Sequence, residues 1–140
     1  MQQYLEQAAH NEDFHDCIVQ QFPTKFYDWK ITSLFYSAIH LLKALAASKN
    51  INIGSTHQDI EQSCNPDRHG NKMAVSKNAW RDYKAMYRYS HTARYEGITD
   101  IETFEKLKKL DYSMCIQHMR KFKQYLKGQG LPIEIKATEK

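Results

Sequence analysis

Aromatic, imidazole and guanidinium groups recur one helical turn apart in two stretches of the chain. Tyr36 and His40 are four residues apart, as are Tyr87 and His91, and Arg94 and Tyr95 follow three and four residues after His91. His57 lies between the two stretches. At helical spacing such residues share a face. Arg and His offer charge-assisted hydrogen bonds to phosphate, and Tyr offers a stacking face with a hydroxyl tip, so the pattern suits RNA or a nucleotide. The same residues could equally be amphipathic side chains satisfied at the edge of a core, since nine tyrosines must be placed somewhere.

Other chemistries find less purchase. His57, Cys64 and His69 bracket one stretch, and His10, His15 and Cys17 another. Zinc ligands usually come in tight C-x-x-C or H-x3-5-H pairs converging on one point, and neither group has two such pairs, so no metal or cofactor is expected. There is no G-x-S-x-G elbow and no G-x4-G-K-[ST] loop, which leaves serine-nucleophile and phosphate-loop chemistry unsupported. The carboxylates are dispersed, with no pairing suited to glycoside chemistry.

The elements that must carry these residues are helices. The 140 residues fit one domain, and 41% hydrophobic with 26% charged residues is ordinary for a folded globule. Five Gly and three Pro are too few for the many turns of a sandwich or barrel. A first helix is expected over about Gln3–Gln21, ended by Pro23, with Leu5, Ala8, Ala9, Cys17, Ile18 and Phe22 as an apolar stripe weakened by Asn11, Glu12 and Asp13. The stretch from Asp28 to Ser48 is the strongest helical signal. Asp28 or Thr24 can cap it, and Ile31, Leu34, Phe35, Ala38, Leu41, Leu42 and Leu45 line one face, which places it at the centre. Trp29, Ser33, Tyr36, His40 and Lys43 form a second stripe beside the first.

Ser55 with Gln58 reads as a capping box for a short helix over 56–63, and residues 64–75 read as an exposed loop. A further helix over Ser76–Glu96 turns Tyr83, Met86, Ser90 and Ala93 inward, with Trp80, Tyr87, His91 and Arg94 on the adjacent face. Gly97 stops it, and Thr99 with Glu102 caps a last helix to about Lys127. That helix buries Phe104, Leu107, Met114, Cys115, Met119, Phe122 and Leu126, with Lys106, Lys108, Lys109, Arg120, Lys121 and Lys123 outside. The expected fold is all-α, an antiparallel four- to five-helix up-and-down bundle over residues 1–128, followed by a loose tail over 129–140.

No apolar run approaches the ~18 residues needed to cross a bilayer, and the first residues lack a signal pattern, so no membrane association is expected. Three scattered cysteines suit a reducing cytoplasm. Net charge is −1 over residues 1–54, +2 over 55–98 and +3 over 99–140, within a total of +4. The excess in the second half suits either a face that meets an anionic partner or a solvated lysine-rich surface.

The order of residues resembles a known family. Trp29, Thr32, Phe35, Tyr36, Ala38 and His40 match the W-x-x-T-x-x-F-Y-x-A-x-H helix of bacterial proteins with a HEPN-like (higher eukaryotes and prokaryotes nucleotide-binding) bundle. Ser55-Thr56-His57 and Ser90-His91-Thr92-Ala93-Arg94-Tyr95 are similar to that group's S-H and S-x-x-A-R-Y elements, and with the YLEQAAHN start the likeness covers roughly residues 4–125. The resemblance implies a helical bundle that often forms a homodimer. It further implies a setting in RNA cleavage, toxin–antitoxin pairs or defence, with a nucleotidyltransferase or antitoxin as partner.

Active ribonucleases of the superfamily carry R-x4-6-H. Here the matching window holds Thr99, Asp100 and Ile101 after Arg94, Ala93, Arg94 and Tyr95 after Arg88, and Met86, Tyr87 and Arg88 after Arg81. The motif is absent, so the expected role is a binding or accessory module for RNA, a nucleotide or a partner protein. Its ligand candidates are Tyr36, His40, His57, Tyr87, His91, Arg94 and Tyr95, and its catalytic residues are unknown. Two alternatives stand beside it: a metal-independent endoribonuclease with a relocated site, with His40 or His91 as base and Arg94 stabilising the phosphorane, and a structural dimerisation module.

Overall fold

The computed structural model describes residues 1–95 and 100–135; residues 96–99 and 136–140, and the side chain of Tyr95, lie outside that description. Within it the chain forms α1 (Gln2–Gln21), α2 (Tyr27–Ser48), α3 (His57–Cys64), α4 (Lys77–Tyr95) and α5 (Ile101–Gly128), with no strand among the described residues. The all-α bundle is therefore the fold.

Helix α2 packs against α1, α4 and α5, and α4 packs against α5. By length and mean hydropathy α2 could span a bilayer, contrary to expectation, yet 67% of that window is buried inside the protein. Ile31, Leu34, Phe35, Ala38, Leu41, Leu42 and Leu45 form its buried stripe, as the spacing of three and four requires. On α4, Tyr83, Met86, Ser90 and Ala93 face inward as expected, and Trp80 joins them in the core.

Four local expectations are corrected. Neither Thr24 nor Asp28 caps α2. Its first turn follows Phe26, held in the left-handed region at φ 59°, with no side-chain cap. The turn is secured instead by Lys30, whose Nζ donates to the Phe22 carbonyl at 2.7 Å, and by edge-to-face contact of Phe22 and Phe26 at 4.8 Å.

The capping box of α3 lies one residue later than Ser55 and Gln58. The Thr56 hydroxyl accepts from the Asp59 amide at 3.1 Å, and the Asp59 carboxylate accepts from the amides of Thr56 and Ser55, each at 3.3 Å. Gly54 has φ +86°, and a Cβ there would lie 2.3 Å from that of Asp59, so only glycine admits the box. On α5, Asp100 accepts from the Glu102 amide at 3.1 Å and from the Thr103 hydroxyl at 2.7 Å. The expected Thr99 and Gly97 lie outside the described residues.

The segment 64–75 is not simply an exposed loop. Met73 and Val75 are buried, and their amides donate to the Ser63 and Cys64 carbonyls at 2.8 and 3.0 Å. Nor is the chain loose from residue 129. Leu131 is buried with its amide on the Leu126 carbonyl at 3.1 Å, and Ile133 packs on the core.

Burial also departs from residue type. Leu107 and Met114 are exposed, whereas Lys108 and Lys123 are almost fully buried. Lys123 meets Glu12 of α1 at 2.7 Å, and Lys108 Nζ donates to Asp111 at 3.2 Å. Desolvating a charge is tolerated only with such partners. On α1, Glu12 and His15 are buried in the middle of the stripe, while Ala9, Cys17 and Phe22 are exposed. Tyr112, from α5, meets His15 Nε2 at 2.7 Å through its hydroxyl.

Candidate functional site

The sequence candidates divide into three groups. His57, at the first turn of α3, lies flat on Tyr87 of α4, with ring centroids 3.6 Å apart and planes within 3°. Tyr87 reaches His91 at 5.9 Å and is backed by Phe35 of α2 at 5.8 Å. Arg94, one turn beyond His91, sets its guanidinium 5.4 Å from the ring centre of Tyr36 and hydrogen-bonds the Ser90 hydroxyl. That is a cation–π contact across the junction of α2 and α4. His91 and Tyr36 are exposed, while His57, Tyr87 and Arg94 are half-buried.

Among the described contacts, His40 meets this cluster at the backbone of Tyr36 and not at its side chains. Its Nδ1 lies 2.8 Å from the Tyr36 carbonyl and 3.5 Å from the Asn11 amide of α1. A carbonyl only accepts, so Nδ1 carries the proton and donates to Tyr36, and the Asn11 amide nitrogen, itself a donor, is a neighbour rather than a hydrogen-bond partner. The side chain of Tyr95 lies outside the described residues.

Two groups escaped the sequence reading. Lys84 places its Nζ 3.5 Å from His57 Nε2, 3.8 Å from Glu61 and 5.1 Å from the ring centre of Tyr87. Arg68 holds the same Glu61 at 3.0 Å. Spacing of three from Lys84 to Tyr87 was there to be read. The link to Glu61 crosses elements and left no local signal.

The electrostatics follow from these contacts. An ammonium is only a donor, so His57 Nε2 is the acceptor and the proton of the neutral ring sits on Nδ1. That Nδ1 is enclosed with no hydrogen-bond partner among the described residues. Burial, and then the Lys84 charge, hold the His57 imidazole below its ordinary value, against a weaker upward pull from Glu61. Arg68 in turn holds the Glu61 carboxyl below the usual carboxylate range. His57 is thus a neutral ring near pH 7, and Lys84 and Arg94 supply the fixed positive charge.

A depressed imidazole value has a definite sign for stability. Above about pH 6.5 the ring is neutral whether folded or unfolded. As pH falls below that, the unfolded chain takes up the proton first, so folding loses stability until the folded value is reached. His57→Phe, which keeps a ring against Tyr87 but cannot titrate, should show a shallower loss of melting temperature than wild type between pH 6.5 and 5. Parallel curves would remove the role assigned to Lys84 and burial.

The cysteine and metal candidates are dispersed. Cys64 is buried, with its thiol pushed up to about 12, which rules it out as a nucleophile near neutral pH. Cys17, His10 and His69 are exposed, and no group of three or more His, Cys, Asp or Glu among the described residues could hold a metal ion.

Five helices with an aromatic–basic face across α2, α3 and α4 define a helical-bundle module. The model of the HEPN domain matches residues 1–129, and the chain belongs to that family. No curated protein and no solved structure matches it.

Proposed function

We propose that this HEPN domain is a binding module for RNA or a nucleotide, with the face formed by Tyr36, His57, Tyr87, His91 and Arg94, joined by Lys84, as its ligand surface. The observation that carries the reading is the Arg94 guanidinium laid over exposed Tyr36 beside exposed His91, next to the His57–Tyr87 stack. Fixed cations beside aromatic faces are what a phosphate and its base require.

The setting that fits is cytoplasmic, in a toxin–antitoxin or defence system with a nucleotidyltransferase or antitoxin as partner, as the family resemblance implies. The reading includes a homodimer. Phe14, Ile18, Phe22, Phe26 and Trp29 line an open apolar depression on α1 and the start of α2. None is charged, so two copies can meet there about a twofold axis without like-charge repulsion.

The test is titration of fluorescently labelled single-stranded RNA and of mononucleotides against wild type, Arg94→Lys and Arg94→Ala. Arg94→Ala should weaken binding by roughly ten- to a hundredfold, the worth of one charge-assisted contact. Arg94→Lys should lose less, because it keeps the charge but not the planar fork. Equal affinity of wild type and Arg94→Ala would end the assignment.

A further inference from the structure

A second polar cleft lies away from this face. It holds about 450 Å³ between α4 and α5, and Ser76, Asn78, Arg81, Asp82, His118 and Lys121 are among the residues that line it. At 100° per residue, Asn78, Arg81 and Asp82 lie roughly 150° around α4 from Lys84, Tyr87, His91 and Arg94. The two sites therefore flank the helix's buried stripe on different sides.

The centre of the cleft is a built pair. Asp82 is only 7% exposed, and its Oδ1 lies 2.8 Å from His118 Nδ1. A carboxylate only accepts, so Nδ1 carries a proton, the ring is fixed in orientation, and Nε2 is the nitrogen left for another molecule. Arg81 from α4 and Lys121 from α5 are both exposed and bring two positive charges to the same cleft. Set against the Asp82 carboxylate, Arg81 and Lys121 leave the cleft with a net positive charge. Tyr125 also lines it. The volume suits a small ligand, and the donors converge from two rigid helices.

We propose that this cleft is a separate anion site that takes a phosphate group. Arg81 and Lys121 supply the charge, and the His118 ring, oriented by Asp82, presents Nε2 to the phosphate group for a hydrogen bond. Asp82 is a positioning residue that acts only through His118. The phosphate can come from a small free ligand or from a polynucleotide backbone, and both present the same oxygens.

The experiment follows the His118 Cε1–H resonance by NMR while pyrophosphate, or a short oligonucleotide without terminal phosphates, is added to the whole protein. A saturable shift with either probe is the expected result, and which probe saturates identifies the source. Lys121→Gln, an exposed change that leaves the packing alone, should raise the dissociation constant about tenfold or more. Asp82→Asn should weaken binding while leaving the Arg81 and Lys121 charges in place, and the shift of His118 by pyrophosphate should survive Arg94→Ala. Lack of saturation with both probes, or equal affinity of wild type and Lys121→Gln, would overturn the proposal and reduce Asp82–His118 to a tie between helices. Loss of the shift in Arg94→Ala would show that the cleft is no separate site.

Discussion

Replacing Lys123 by methionine should destabilise the protein by about 3 to 5 kcal/mol, the cost of leaving a buried carboxylate without its nearest cation. Lys123 Nζ lies 2.7 Å from Glu12, with side chains 1% and 12% exposed. The pair joins α5 to α1 in the stretch where α1 lacks an apolar stripe, so the ionic contact stands where hydrophobic packing would otherwise be. Removing the ammonium takes a charge-assisted contact at 2.7 Å from a carboxylate that is only 12% exposed, a position where such a loss is costly. Converting both partners, as Glu12→Leu with Lys123→Met, should recover most of the loss, because an apolar pair of similar volume fits such a site at little cost. Urea unfolding of wild type and the two variants measures this. A single-variant loss under about 1 kcal/mol would place the pair among ordinary surface contacts.

That pair also shows where the sequence misleads. Helix existence was legible because Pro23, the glycines and the spacing of three and four all pointed one way, and agreement across levels is what specifies a fold. Within α5, residue type and helical phase disagreed. Lys108 stands four residues after Phe104, and Lys123 four after Met119, so both share the buried phase. Their type assigned them to solvent. Leu107 and Met114 are the converse, apolar residues out of phase and exposed. Phase should have outweighed type, with an acidic partner sought elsewhere in the chain. For Lys108 that partner was Asp111, three residues on; for Lys123 it was Glu12, 111 positions away, which no local pattern could name.

The candidate sites divide along the same line. Tyr87, His91 and Arg94 were legible as one face because they share one helix, and Tyr36 meets Arg94 because α2 and α4 pack together. His40 shares its helix with Tyr36 yet has Asn11 of α1 as a neighbour, since what an edge residue meets depends on the neighbouring helix. Asp82 and His118 are 36 positions apart and looked unremarkable singly. Only the packing of α4 on α5 brings them to 2.8 Å. Single-helix geometry can be read from spacing; pairings between helices require the fold.

Tyr83 separates packing from polarity, and only one of its two substitutions should cost stability. The ring is fully buried, with Trp80, Phe35 and Phe122 at centroid distances of 5.2, 5.6 and 5.9 Å. Its hydroxyl has no hydrogen-bond partner among the described residues, and burial raises the phenol well above its ordinary value. Tyr83→Ala empties the centre of the aromatic cluster and should cost about 3 to 5 kcal/mol, the range for deleting a buried aromatic ring. Tyr83→Phe keeps the ring and removes a buried group that pays desolvation without return, so it should be neutral or stabilising by about 1 kcal/mol. The same pair bears on the ligand face, because Tyr83 lies nearly parallel to His57, 12° between planes at 6.5 Å. Tyr83→Phe should therefore leave RNA or nucleotide affinity intact. Tyr83→Ala, where it still folds, should weaken affinity by loosening the His57–Tyr87 stack. Guanidinium unfolding alongside the labelled-RNA titration reads both effects. A destabilised Tyr83→Phe would mean that the hydroxyl has a partner after all.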